Sequence, residues 1–198
     1  ASPLIVKGLK RMEYRGYDSV GVATETNSKI ELKKGVGKVN EVNAKVQLDT
    51  LPGKVGIGHT RWATHGRVTD ANAHPHRSST GELAIVHNGI IENFEQLKKE
   101  LETDGYIFKS ETDSEVIANL LQKNYDSEKN IKDAMIKTVS KLIGHYAFVA
   151  MFENGQLAAA KFHEPLIIGI GKNSYFLSSD VSGFIEQTDN AIYVENGN

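Results

Sequence analysis

The chain has 198 residues, 39% of them hydrophobic and 24% charged, with 23 Lys and Arg against 25 Asp and Glu. That length suits one domain with a sizeable core, and the nearly cancelled charge offers no bulk field for nucleic acid or a membrane surface. Zero cysteine excludes disulfides and thiolate metal sites, no apolar run approaches the roughly 18 residues of a spanning helix, and no signal-peptide pattern is visible, so a cytoplasmic domain is expected.

Ser2 and Pro3 read as N-cap and N1 of a first helix, with Leu4, Ile5, Leu9 and Met12 as its apolar stripe and Gly16 as its stop. Val20–Thr24 and Ile30–Lys33 flank a turn and predict a hairpin. Val39, Val42 and Val46 follow at helical spacing. Val55–His59 and Leu83–His87 read as short strands, each running into a polar motif, with a long polar loop over residues 66–82 between them. Ile91–Leu101 predicts a helix ending near Gly105, and Tyr106–Lys109 a strand. Thr112-Asp-Ser-Glu115 is a capping-box pattern opening a helix to about Tyr125. Ser127 is expected to cap the next helix, which buries Ile131, Ala134, Met135, Thr138, Val139 and Leu142 before Gly144 stops it. Tyr146–Phe152 and Gln156–Phe162 flank Asn154-Gly155, a strong hairpin signal. Strands over Leu166–Ile170, Tyr175–Leu177 and Ile192–Glu195 follow, with a short helix begun by Ser179-Asp180. Strands at both ends with helices between indicate an α+β fold with largely antiparallel pairing, not βαβ units.

Three places carry chemistry. Arg61, at a strand end, is suited to bidentate capture of a carboxylate, or is a surface ion-pair residue. The only tryptophan, Trp62, beside Ala63 and Thr64 suggests a shaped wall. Asn88-Gly89 is either an ordinary turn or an oxyanion hole, in which a glycine N–H and the Asn amide donate. Asp113 either complements the helix dipole or pairs with a ligand ammonium; with Arg61 it supplies what a free α-amino acid needs. Five of the seven histidines, His59, His65, His74, His76 and His87, lie within residues 59–87. His74-Pro-His76 has the spacing of a zinc pair, but no carboxylate-rich or cysteine motif accompanies it, and several of these rings read as hydrogen-bonding loop anchors.

The blocks Glu13-Tyr-Arg-Gly-Tyr-Asp-Ser19, His59-Thr-Arg-Trp-Ala-Thr-His-Gly66, Asn72-Ala-His-Pro-His76, His87-Asn-Gly-Ile-Ile-Glu-Asn93 and Glu111-Thr-Asp-Ser-Glu115 resemble the glutaminase domain of the glucosamine-6-phosphate synthases, class II glutamine amidotransferases. The resemblance spans essentially residues 1–198. Amidophosphoribosyltransferases, the sister alternative, carry Tyr-Ser-Thr where this chain has Trp-Ala-Thr-His. The resemblance implies the N-terminal-nucleophile (Ntn) hydrolase fold, a four-layer αββα sandwich of two mainly antiparallel sheets. It implies that Arg61 binds the α-carboxylate of L-glutamine and Asp113 its α-amine, that Trp62, Thr64, His65 and Gly89 line the pocket, and that Asn88 and Gly89 form the oxyanion hole. Arg15 and His74 would be supporting groups. No cofactor and no metal are implied. The partner would be a C-terminal sugar isomerase domain that converts fructose 6-phosphate to glucosamine 6-phosphate and carries a homo-oligomer interface.

In that family the nucleophile is an N-terminal cysteine whose own α-amine serves as base. Here the sequence opens at Ala1 and contains no cysteine. The expectation is therefore a glutaminase domain lacking its first strand with the nucleophile, and lacking the sugar domains, hence inactive alone. A cysteine-free glutamine-binding module is the alternative.

Overall fold

The computed structural model describes residues 1–63 and 66–196. The chain opens with α1 (Ser2–Met12), continued by a 3-10 turn over Glu13–Arg15. A hairpin of β1 (Ser19–Thr26) and β2 (Lys29–Val36) follows. Its two-residue turn puts both Asn27 (φ 52°) and Ser28 (φ 57°) in the left-handed region, which matches the right-handed twist of the strands. Next come α2 (Val39–Val46), β3 (Val55–Arg61), the two-residue β4 (His76–Arg77), β5 (Leu83–Ile91), α3 (Phe94–Thr103), α4 (Asp113–Glu128) and α5 (Ile131–Val139). The last part comprises β6 (Gly144–Phe152), β7 (Leu157–Phe162), β8 (Ile167–Ile170), β9 (Tyr175–Ser178) and β10 (Ala191–Tyr193).

Among the described residues the strands form three antiparallel sheets, ordered β2-β1-β3, β4-β5-β6-β7 and β10-β8-β9. Helices α1 and α2 cover the first sheet through Val6, Leu9, Val39 and Val42, all buried with Val20 and Val22 of β1. Between the first and second sheets lie Ala23, Ile57, Ala84, Val149 and Met151. The far face of the second sheet, with Leu83, Ile85, Phe148 and Phe152, is buried under Leu97, Val116, Ile117, Leu120 and Leu121 of α3 and α4. The layering is thus helix, sheet, sheet, helix, as the α+β reading expects, and each fully buried Leu, Ile or Phe contributes roughly 1.5–3 kcal/mol. Close approach of α1 requires Gly58: a Cβ there would sit 2.3 Å from the Ile5 side chain.

Helix α4 is buried nearly all round, so its polar residues must find partners inside. Asn119 accepts from the Ser79 N–H, Gln122 accepts from Ser78 and donates to Glu82, and Asn124 donates to Thr138. The bonds of Asn119 and Gln122 tie the loop before β5 to the helical layer, and that of Asn124 joins α4 to α5.

Several local expectations are corrected. Ser2 is the first helical residue, with Ala1 at the cap; its Oγ donates to Leu51 O and Asp49 O instead. Strand β5 runs on to Ile91, so α3 starts at Phe94. Residues 106–109 are not a strand, because Lys109 and Ser110 give their N–H groups to the Glu115 carboxylate. The same bonds draw Glu115 away from its N-cap, and the capping box does not close. Ser127 lies inside α4; Asn130 caps α5 by accepting from Asp133 N–H.

Candidate functional site

Three elements deliver their ends to one place. Strand β3 ends at Arg61, β5 carries His87, Asn88 and Gly89, and α4 begins at Asp113. A cavity of about 140 Å³ and a smaller one of about 120 Å³ meet there. The smaller is lined by Arg61, Trp62, Asn88, Gly89 and Asp113, with Arg15 and His74 also on its wall. It is well below the roughly 300–1,000 Å³ of a drug-sized site and suits a small metabolite.

Arg61 is buried, and its Nη1 donates to Arg67 O at 3.1 Å. Burial pulls its pKa down, while the carboxylates of Asp18 and Asp113 pull it up. Asp113, also buried, accepts the Ile91 N–H on Oδ2 at 2.8 Å, so α4's first residue is bound directly to the strand that carries Asn88. Trp62 is 58% exposed and packs edge-on against Tyr17 at 5.5 Å, forming an outer wall rather than a floor. Gly89 has φ +109°, and a Cβ there would stand 2.0 Å from His145 O. The glycine is demanded by the neighbouring strand β6, whatever ligand it faces.

Arg15 does not reach into the centre. Its Nη1 donates to Ser179 Oγ at 2.9 Å and Ser179 O at 3.2 Å, which ties the 3-10 turn after α1 to the end of β9. Thr64 and His65, both expected to line the pocket, lie outside the described residues.

The histidines are where sequence reasoning reached least far. His59 and His87 stand on strands, not loops, and with His74 and His76 they make a packed cluster; His59 and His74 have ring centroids 4.3 Å apart, His74 and His76 4.6 Å. Burial pushes His59 and His87 down to about 4 and lowers His74 and His76 well below the usual histidine value. Neighbouring positive groups, Arg61 among them for His59, His74 and His76, add to the shift. The cluster is therefore neutral at physiological pH. Ser114 Oγ sits between His74 Nε2 and His87 Nδ1, 2.9 Å from each, and Thr112 Oγ1 lies 3.1 Å from His76 Nε2. Thus the Nε2 atoms of the His74-Pro-His76 pair are engaged by hydroxyls. Among the described residues no group of three or more His, Asp or Glu is arranged to hold a metal ion. Ser114 was legible only as part of the capping-box pattern; that it joins two distant histidines is a tertiary fact.

Loop residues 71–75 are held by Lys34 of β2, whose Nζ donates to Ala71 O, Ala73 O and Pro75 O. Asn72 in turn bonds Arg67 O and both the N–H and carboxylate of Glu111.

The larger cavity runs between Gly58–Thr60 of β3 and Leu177–Ser179 at the end of β9, floored by Val86, Ala147 and Val149 and roofed by Leu9 and Met12. Among the described residues β3 and β9 each pair on one side only, so two sheet edges border this cavity. It shares His59, His87 and Asn88 with the smaller one.

The chain is similar to known proteins over most or all of its length. A family profile described as "Glutamine amidotransferase domain" matches residues 59–186. The glutamine–fructose-6-phosphate aminotransferase (isomerizing) of Pyrococcus horikoshii is 50% identical over all of this chain and 33% of its own length. That of Methanothermobacter thermautotrophicus is 47% identical over all of this chain and 34% of its own. The chain thus spans about a third of the length of these relatives. The solved glutamine phosphoribosylpyrophosphate amidotransferase from B. subtilis superposes with a TM-score of 0.86 at 32% identity, covering 100% of this chain and 43% of that one. A glutamine aminotransferase class-II domain protein from Silicibacter pomeroyi shares the fold at TM-score 0.61 and 18% identity, over 91% of this chain and 84% of that one.

Proposed function

The chain belongs to the glutamine amidotransferase domain family, and from that premise we propose that its smaller cavity binds L-glutamine for cleavage to glutamate and ammonia. The observation that carries this reading is the convergence of a buried cation, Arg61, a buried anion, Asp113, and the Asn88–Gly89 donors on one small cavity. Arg61 holds the α-carboxylate and Asp113 the α-ammonium, which orients the side-chain amide toward Asn88. The Asn88 amide and Gly89 N–H stabilise the oxyanion that forms when the carboxamide carbon is attacked.

The attacking thiol is proposed to arrive on an extended segment that pairs with the β3 edge and reaches the larger cavity. Ala1 N lies 2.7 Å from Gly53 O, beside the start of β3. A segment leading into Ala1 would run antiparallel to β3, and over about seven residues, roughly 23 Å, its far end would reach the Arg61–Asn88 end. A cysteine there attacks the carboxamide carbon, its α-amine carries the thiol proton to the leaving ammonia, and water then releases glutamate from the thioester.

The identity to relatives that are glutamine–fructose-6-phosphate aminotransferases supports this domain being the glutaminase part of such an enzyme. Its ammonia would serve a linked sugar isomerase domain making glucosamine 6-phosphate, within a cytoplasmic homo-oligomer. The amidophosphoribosyltransferase alternative has less support, at 32% identity against 50%.

Calorimetric titration tests the site. L-glutamine is expected to bind the 198-residue chain, and Arg61→Ala to abolish binding while the variant still melts cooperatively. A folded chain indifferent to glutamine, yet stabilised by zinc, would overturn the reading. A synthetic peptide headed by cysteine, added in trans, is expected to produce glutamate release that its serine-headed counterpart does not.

A further inference from the structure

We propose that His59 is a positioning residue that sets which end of the Asn88 side-chain amide faces the cavity. The proposal rests on the glutamine reading for its purpose, though not for its geometry. His59, on β3 of the first sheet, reaches across to Asn88 on β5 of the second, with Nε2 2.9 Å from Asn88 Oδ1. A carboxamide oxygen only accepts, so this contact requires His59 to carry its proton on Nε2.

The rest of the ring agrees with that tautomer. His59 Nδ1 is buried and makes no hydrogen bond of good geometry, and besides Asn88 the ring is attracted only to the His87 backbone. If Asn88 were flipped, its Nδ2 would donate to Nε2 and the imidazole proton would move to Nδ1, leaving a buried N–H unmade. An orphaned donor of that kind costs about 1–3 kcal/mol, enough to hold the amide in one orientation by roughly tenfold or more. The ring itself cannot easily swing away, because His74 lies tilted against it. Burial keeps it neutral, so a single N–H is available over the physiological range.

With Oδ1 committed to His59, Nδ2 is the end of Asn88 left to donate, and among the described residues it has no intramolecular acceptor. An oxyanion hole needs a donor there; a flipped amide would present a lone pair to the developing negative charge and oppose it. His59 also lines the smaller cavity, and the norvaline control below separates that contact from its effect on Asn88.

The test compares His59→Gln, whose terminal amide N–H reaches to about the same point, with His59→Met, which fills similar space and donates nothing. L-norvaline, which has the α-amino and α-carboxylate groups of glutamine but no carboxamide, is the control ligand. His59→Met is expected to lose roughly tenfold in glutamine affinity and to leave norvaline affinity within about twofold, while His59→Gln retains most of the glutamine affinity. Equal loss of both ligands in His59→Met, or no loss of glutamine, would overturn the proposal. A second arm needs no ligand: ¹⁵N NMR of the histidine ring is expected to show Nε2 protonated and Nδ1 bare, and a proton on Nδ1 would overturn it. A wild-type chain that binds neither amino acid would refute the glutamine reading, and the NMR arm would still decide the tautomer.

Discussion

Lowering the pH should unfold this domain through its histidine cluster, and the size of the effect follows from two of its members. His59 and His87 titrate at about 4 when folded, against about 6.5 in an unfolded chain. A depressed histidine pKa means that the unfolded state binds protons first, so stability is complete above pH 6.5 and falls as the pH drops from there toward 4. At pH 5 the unfolded form of each ring is almost fully protonated and the folded form is mostly neutral, a difference of about 2 kcal/mol per ring and about 4 kcal/mol for the pair. His74 and His76 are also lowered and add in the same direction. Against a typical total of about 5–15 kcal/mol, that is a substantial share of the stability. Urea unfolding at pH 7.5, 6.5, 5.5 and 5.0 measures it directly, with the loss concentrated below pH 6.5. A stability that stays flat between pH 7.5 and 5.0, or ring resonances titrating near 6.5 in the folded protein, would show that the cluster is not shielded as described.

Three other outcomes follow from single contacts. Gly89→Ala is expected to cost at least about 3 kcal/mol, since it combines a positive φ with a Cβ 2.0 Å from His145 O; a variant that melts like the wild type would mean β5 and β6 can separate locally. Ser114→Ala removes the hydroxyl shared by His74 and His87 and should destabilise by about 2 kcal/mol in chemical denaturation, whereas Ser114→Thr should recover part of it. Lys34→Met withdraws three bonds from residues 71–75, and hydrogen exchange is expected to quicken in that loop while β5 remains protected; unchanged exchange there would assign the loop's order to Asn72 instead.

Much of the candidate site could be read from the chain because its groups follow local marks: the end of a strand, the first polar break in an apolar run, the start of a helix. Arg61 follows the apolar run of β3, Asn88-Gly89 closes that of β5, and Asp113 opens α4, so the polar motifs and their carriers were visible together. The hairpins and α4 were legible for the same reason: turn residues and apolar periodicity act over a few positions. What failed were competitions between a local partner and a distant one. Glu115 could cap its own helix or bind the backbone of Lys109 and Ser110, and it does the latter; Ser2 could cap α1 or bond Leu51, and the loop prevails. The histidines belong to this second kind. Their number and spacing were plain, but whether they form a metal pair, loop anchors or a neutral buried cluster depends on β3 and β5 lying in different sheets that face each other, with α4 bringing Ser114 between them. Sequence alone marked a cation, an anion and amide donors in three local motifs. Only the tertiary structure decided which imidazole nitrogen faces which partner, because that is set by packing between segments far apart in the chain.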